Sequence, residues 1–153
     1  MMTVRVQHAD FDTGAELQQL RSASPSIGAV VSFVGQVRDM NTGDKVSELT
    51  LEHYPGMTEK ALEAIALQAK NRWDVVDILI IHRVGTLKPL DQVVLVAVSS
   101  AHRGDAFKAC EFVMDYLKTE APFWKKELLQ TGETRWVDAR ESDDNARERW
   151  NLN

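Results

Sequence analysis

The segment Asp115–Glu127, DYLKTEAPFWKKE, sets Lys118 and Lys125 on either side of the apolar turn Ala121-Pro122-Phe123-Trp124. Two ammonium groups bracketing such a turn are equipped for proton chemistry. A lysine walled by aromatic rings loses hydration, its proton affinity falls toward neutrality, and it becomes a usable acid or base. The plain alternative is a helix end with solvated charges, because Lys118 shares a helical face with Lys108, Glu111 and Asp115. Lys126, next to Lys125, is a second cation of secondary weight.

Four more cations stand where elements end. In VSSAHRGDAF a buried strand gives way to a helix at His102 and Arg103. Backbone N–H groups at a helix start favour an anion, the two side chains add donors, and Gly104 permits close approach. The alternative is a cap beside a solvated His-Arg pair. Arg38, in GQVRD, ends a strand ahead of a turn, and Arg140, in DARESDD, follows a short strand. Each is equally readable as an ordinary exposed arginine. Residue chemistry alone gives cations that could converge on a small anion, without naming the anion.

Whatever these cations bind, the chain as a whole repels anions. Its 153 residues carry a formal charge of −5, which argues against coating nucleic acid and makes any cation cluster a local device. Its length and its 44% hydrophobic content suit one domain spanning residues 1–153. The longest apolar run, Val93–Val98, is far too short for a membrane span, and MMTVRVQHAD has no apolar leader core, so a cytoplasmic location is expected. The single cysteine, Cys110, excludes an internal disulfide. It falls on an apolar helix stripe and reads as core. His53 and His82 sit in strands without metal-ligand spacing, and there is no thiolate cluster, dinucleotide fingerprint or P-loop, so no metal and no cofactor is expected.

Hydrophobic periodicity predicts the elements that position these groups. TVRV is a short strand, and TGAELQQLRSA a helix from about Ala15 with Thr13 as its cap. GAVVSFVGQVR is a strand with Val31, Phe33 and Val37 on one face, and Gly35 marks a bulge or close approach. DMNTGD is a turn or mobile loop, and VSELTLEHY returns as a strand with Leu49 and Leu51 inward. PGMTEKALEAIALQAKNRW is a helix with Leu62, Ile65, Ala66, Ala69 and Trp73 on its buried stripe. VVDILIIHRVG and QVVLVAVSS are strands joined by TLKPLDQ as hairpin neighbours, the second central and buried. A second long helix, GDAF to YLKT, should bury Phe107, Cys110, Val113, Met114 and Leu117, with Pro122 ending or restarting it. TRWV is a last short strand and SDDNARERW a terminal helix capped by Ser142. Strand next to strand implies hairpins, hence an α+β fold with helices on one side of a mainly antiparallel sheet.

The segments LTLEHYPGMTEKAL, IHRVG, SSAHRGDAF, MDYLKTEAPFWKKE and RWVDARESD, in this order, resemble the catalytic large subunits of molybdopterin synthase, the MoaE family. The resemblance covers about Gly28 to Trp150 and is weak over the first 25 residues. It implies an α/β-hammerhead fold and conversion of a cyclic pyranopterin monophosphate, precursor Z, to molybdopterin. The sulfur would come from a thiocarboxylate on the C-terminal Gly-Gly of a small ubiquitin-like carrier subunit. It also implies a homodimer with one carrier at each end, a heterotetramer, and exposed strand edges invite pairing between copies. By the same resemblance Lys118 and Lys125 are the catalytic pair, and Arg38, His102, Arg103 and Arg140 bind the substrate; Phe33 and Met114 lie nearby in sequence. A competing reading is a non-catalytic anion-binding scaffold that docks a partner's C-terminal tail. Turnover separates the two.

Overall fold

Residues 92–100 carry an apolar run without polar alternation because both faces of that strand are covered. In the computed structural model, which describes residues 1–137 and 141–152, this strand is β7 (Gln92–Ser100). It lies between β5 (Asp77–Arg83) and β2 (Ala29–Gln36), antiparallel to both, and β1 (Met2–Gln7) extends the sheet by pairing parallel to β5.

On one face Ile78, Ile80, Val94, Val96 and Val98 pack against Leu62, Ile65, Ala66 and Ala69 of α2 (Met57–Arg72). The same face holds Ala106, Ala109, Phe112, Val113 and Leu117 of α3 (Arg103–Glu120). On the other face Leu79, Ile81, Leu95 and Ala97 meet Phe11 and Leu20, the latter from α1 (Thr13–Arg21). Helices therefore cover both sides of this sheet, against the expectation of one. Period-two alternation in β5 and β7 sends alternate residues to α2–α3 and to α1.

The second sheet runs β3 (Met40–Asn41), β4 (Asp44–His53), β8 (Phe123–Leu129), β9 (Thr134–Val137), with β6 (Gly85–Leu87) also paired to β4. Val37, Leu51, Val84 and Leu87 form a smaller core of their own, with Phe123 packed on it. The chain closes with α4 (Glu141–Glu148) and a 3-10 turn, Arg149–Leu152. This tail is clamped to α3: Arg149 and Trp150 Nε1 both donate to Asp115, and Arg147 pairs with Glu120.

The mixed α+β class and the dominance of antiparallel pairs are as expected. Several local expectations change. Asp12, not Thr13, caps α1, its carboxylate accepting the Ala15 N–H at 3.0 Å. Of the two readings of DMNTGD the turn holds, and it is the tight β3–β4 hairpin, whose turn residues Thr42 and Gly43 both have positive φ, 51° and 85°. A register shift between Gly35 and Gln36 resets the alternation of β2, so Val37 joins the smaller core. Phe107 is 60% exposed, because the buried stripe of α3 runs through Ala106, Ala109 and Val113 instead. The segment after Pro122 is the strand β8, central to its sheet. α4 begins at Glu141, ahead of Ser142, whose side chain lies outside the described residues.

Candidate functional site

Lys118 lies in the last turn of α3, where unpaired carbonyls favour a cation. The helix stops because Ala121 is extended (φ −79°, ψ 132°), the conformation a following proline demands. Thr58 Oγ1 donates to the Pro122 carbonyl at 3.0 Å and accepts the Tyr54 N–H at 2.9 Å, fixing this turn against the start of α2.

From there β8 alternates. Phe123, Lys125, Glu127 and Leu129 share one face and Trp124 and Lys126 take the other. Lys125 is half-buried, opposite Leu51 of β4 and Val137 of β9. Lys126 points outward, its ammonium 5.7 Å from the Trp136 ring. The aromatic wall expected from APFW is thus half present: Phe123 turns in, and Trp124 is 48% exposed. Lys118 is exposed too, so in one chain it is not desolvated by these rings.

The ring that Phe123 meets is His82, stacked with centroids 3.8 Å apart and planes inclined by 20°. His82 continues the row Ile78, Ile80 on β5 and is 3% exposed. A buried imidazole needs a partner, and Nδ1 lies 2.8 Å from the Arg83 carbonyl. A carbonyl only accepts, so Nδ1 carries the proton and Nε2 the lone pair. Burial is the main reason its proton affinity falls, to about 3. The Arg83 carbonyl opposes this, while the charges of Lys118, Lys125 and His53 push the same way. Two ammonium groups from different elements therefore act on one neutral ring.

Two residues beyond Lys125, Glu127 is buried. It accepts from Arg135 Nε at 2.9 Å and from Asn41 Nδ2 at 3.0 Å, while Arg135 also reaches Asp44 and the Asn41 carbonyl. This network ties β9 and the β3–β4 hairpin to the strand that carries Lys125.

His102 and Arg103 are exposed at the opposite end of α3. Gly28 is required beneath their turn, since a Cβ there would sit 2.3 Å from the Ala101 carbonyl oxygen. With a rise of about 1.5 Å per residue, Arg103 and Lys118 are roughly 22 Å apart along one helix axis. Arg38, exposed, follows Val37, which packs in the cluster holding Leu51 and Phe123. Arg140 lies outside the described residues. Within one chain the charges of Lys118 and Lys125 both bear on His82, while His102 and Arg103 lie at the other end of α3.

Met114 is buried in the main core and Phe33 is 41% exposed on β2. Cys110 is a core residue: its Sγ lies 3.8 Å from the Val96 carbonyl, and burial, aided by Glu111, pushes the thiol up to about 12. Among the described residues no group of three or more His, Cys, Asp or Glu is placed to hold a metal, and no helix is long and apolar enough to cross a membrane. The sequence reading missed His82 and the Phe123 stack. The available signal was a histidine ending an apolar period-two row.

Residues 6–120 match the family model described as MoaE protein. The chain is 64% identical to a molybdopterin synthase catalytic subunit of Ralstonia nicotianae, over 99% of this chain and 86% of that protein. Its fold superimposes on the molybdopterin biosynthesis MoaE protein from Burkholderia ambifaria with a TM-score of 0.85 at 59% identity, covering 100% of both chains. It is also similar in fold, at 21% identity and a TM-score of 0.69 over 92% of this chain and 90% of the other, to a Helicobacter pylori chain. That chain was solved in a protein–protein complex of subunits 1 and 2 of molybdopterin-converting factor.

Proposed function

The chain belongs to the MoaE protein family, and from that premise we propose that it is the catalytic subunit of a molybdopterin synthase, a sulfurtransferase of molybdenum cofactor biosynthesis. The substrate is the cyclic pyranopterin monophosphate. The sulfur donor is the thiocarboxylate on the C-terminal Gly-Gly of a small carrier subunit. The carrier's sulfur forms a bond to a pterin side-chain carbon, the oxygen there leaves as water in one round and as the phosphate oxygen of the opened cyclic ester in the other, and hydrolysis of the acyl–sulfur bond frees the carrier as a carboxylate. Two such rounds give the dithiolene.

What supports this reading is that the charges of Lys118, at the end of α3, and of Lys125, on the inner face of β8, both bear on the buried His82 ring. Two ammonium groups there hold the anionic thiocarboxylate close to the substrate carbon and supply the proton that the departing oxygen needs. The substrate phosphate calls for Arg-type donors. His102 and Arg103 supply them beside a helix N-terminus, at the wrong end of α3 for their own lysines. A second copy that presents its α3 start to the first copy's lysines closes the pocket, with Arg38 and Arg140 completing the cation set. Phe107, one turn beyond Arg103, and Phe33 on the edge strand β2 offer exposed apolar area for such a contact. The working assembly is then a homodimer carrying two small subunits, a heterotetramer, acting in the cytoplasm, where the lone thiol stays reduced.

The test is incubation with thiocarboxylated carrier and the pterin monophosphate, with molybdopterin detected as product. Formation of the dithiolene, with one carrier carboxylate released per sulfur, is expected. Carrier binding without product would make the protein a docking scaffold and overturn the reading.

A further inference from the structure

The β5 row Ile78, Ile80, His82 faces the α2–α3 core, and its first two members are completely buried. An aliphatic residue at the third place would complete the core without a polar group to satisfy. Instead there is an imidazole, almost as buried, stacked face to face on Phe123. Its Nδ1 proton is committed to the Arg83 carbonyl, so the ring presents only an acceptor, Nε2. The charged and titratable groups acting on the ring are Lys118 from α3, Lys125 from β8 and His53 from β4. His53 is the cross-strand partner of Phe123, and Phe123 and Lys125 are alternate residues on one strand face. A ring clamped on Phe123 therefore sets the azimuth of the strand face that aims Lys125.

We propose that His82 is a positioning residue for the lysine pair: its unprotonated Nε2 accepts a hydrogen bond from an ammonium of the site, while its stack on Phe123 fixes the face of β8 that carries Lys125. A neutral acceptor suits this place better than a carboxylate. It orients an ammonium without cancelling the charge that must face an anionic thiocarboxylate and a phosphate. It also adds no third cation where two already crowd. This inference rests on the reading of Lys118 and Lys125 as the reaction site.

Two variants of similar shape separate an acceptor from mere filling. His82→Gln keeps an acceptor; His82→Met fills the row with none. In the complete assembly with carrier and pterin monophosphate, His82→Gln is expected to keep kcat within about threefold, and His82→Met to lose tenfold or more in kcat with carrier affinity and KM unchanged, the scale of a misplaced proton-transfer group. Wild-type kcat in His82→Met, or an equal loss in a folded His82→Gln, overturns the proposal. A second readout needs no turnover and stands even if the sulfur-transfer reading fails. The 15N resonance of His82 Nε2 is expected to move several ppm toward the value of a free acceptor in Lys118→Met or Lys125→Met. An unmoved resonance in both, each still folded, removes the hydrogen bond and the proposal with it.

Discussion

Glu127 and Arg135 face each other across the β8–β9 pair, joined by an Nε–H···Oε1 bond of 2.9 Å, with the carboxylate buried and the guanidinium still reaching Asp44 on the hairpin. Three strands are thus held through one carboxylate. Glu127→Ala removes the buried acceptor that Asn41 Nδ2 and Arg135 Nε share and is expected to lower Tm by several degrees, because removing one partner of a buried pair costs far more than the pair contributes. Lys126→Ala, on the outer face of the same strand, should move Tm by about a degree or less. Thermal melts by circular dichroism compare the two directly.

Lys118→Ala and Lys125→Ala are each expected to lower turnover about a hundredfold or more, the scale of losing a positioned proton-transfer group. Lys118 is exposed, so its replacement should change stability by no more than about 0.5 kcal/mol. Lys118→Arg keeps the charge but stays protonated, and should fail to restore product formation. Single-turnover assays with thiocarboxylated carrier, together with a urea melt of each variant, check both halves.

The length of α3 makes a sharper prediction. If the phosphate donors act in the partner's site, a protein carrying Arg103→Ala and one carrying Lys118→Ala, each nearly inactive, should regain activity when mixed and allowed to exchange subunits. One of the two sites in the mixed dimer is then intact, and recovery of up to about a quarter of wild-type turnover is the statistical expectation for free exchange between two-site dimers. No recovery in a mixture shown by mass spectrometry to contain the heterodimer would count against the shared pocket.

His82 gives the fold a pH dependence of known sign. Its affinity for a proton is lower in the folded chain, about 3, than the ordinary 6.5 of the unfolded one, chiefly through burial. Between those values the unfolded state binds the extra proton, so stability is full above about pH 6.5 and drains away as pH falls toward 3. The contribution is on the order of a few kcal/mol. Urea midpoints at pH 7.5 and 4.5 should differ more in the wild type than in His82→Met, and equal differences would assign the acid sensitivity to other groups.

Cys110→Ala should retain sulfur transfer, since the thiol, held at about 12 by burial, supplies no thiolate at neutral pH. Reaction of the native protein with a thiol reagent is expected to be slow and to become fast on unfolding.

Much of the fold was legible in the sequence because most buried positions are apolar at the right period. The stripe Leu62, Ile65, Ala66, Ala69 and the unbroken β7 run each specify an element by themselves. What stayed hidden did so for identifiable reasons. In β8 the inner face carries Lys125 and Glu127 between Phe123 and Leu129 while the outer face carries Trp124, so polarity does not follow burial and no clean strand pattern shows. Phe107 is apolar yet outside the buried stripe of α3. Lys118 and Lys125 could be named from sequence, but that the charges of both bear on His82 depends on how α3, β5 and β8 pack, a relation between distant segments. The separation of Arg103 from Lys118 was implicit in one helix pattern, for anyone who measured its length.

The parallel pairing of β1 with β5 also has a consequence for the chain as it is being made. Met2–Gln7 emerges well before its ladder partners, Ile78–Arg83. At about 5–20 residues per second of synthesis, the first strand waits on the order of ten seconds before a partner exists. A bare strand in that interval invites pairing with a neighbouring nascent chain. Thr3, Arg5 and Gln7 alternate with the apolar residues of β1, and a positive charge at its centre keeps two such strands from meeting in register. In the folded chain the same polar face has a second use, since Arg5 ties β1 to Glu16 of α1.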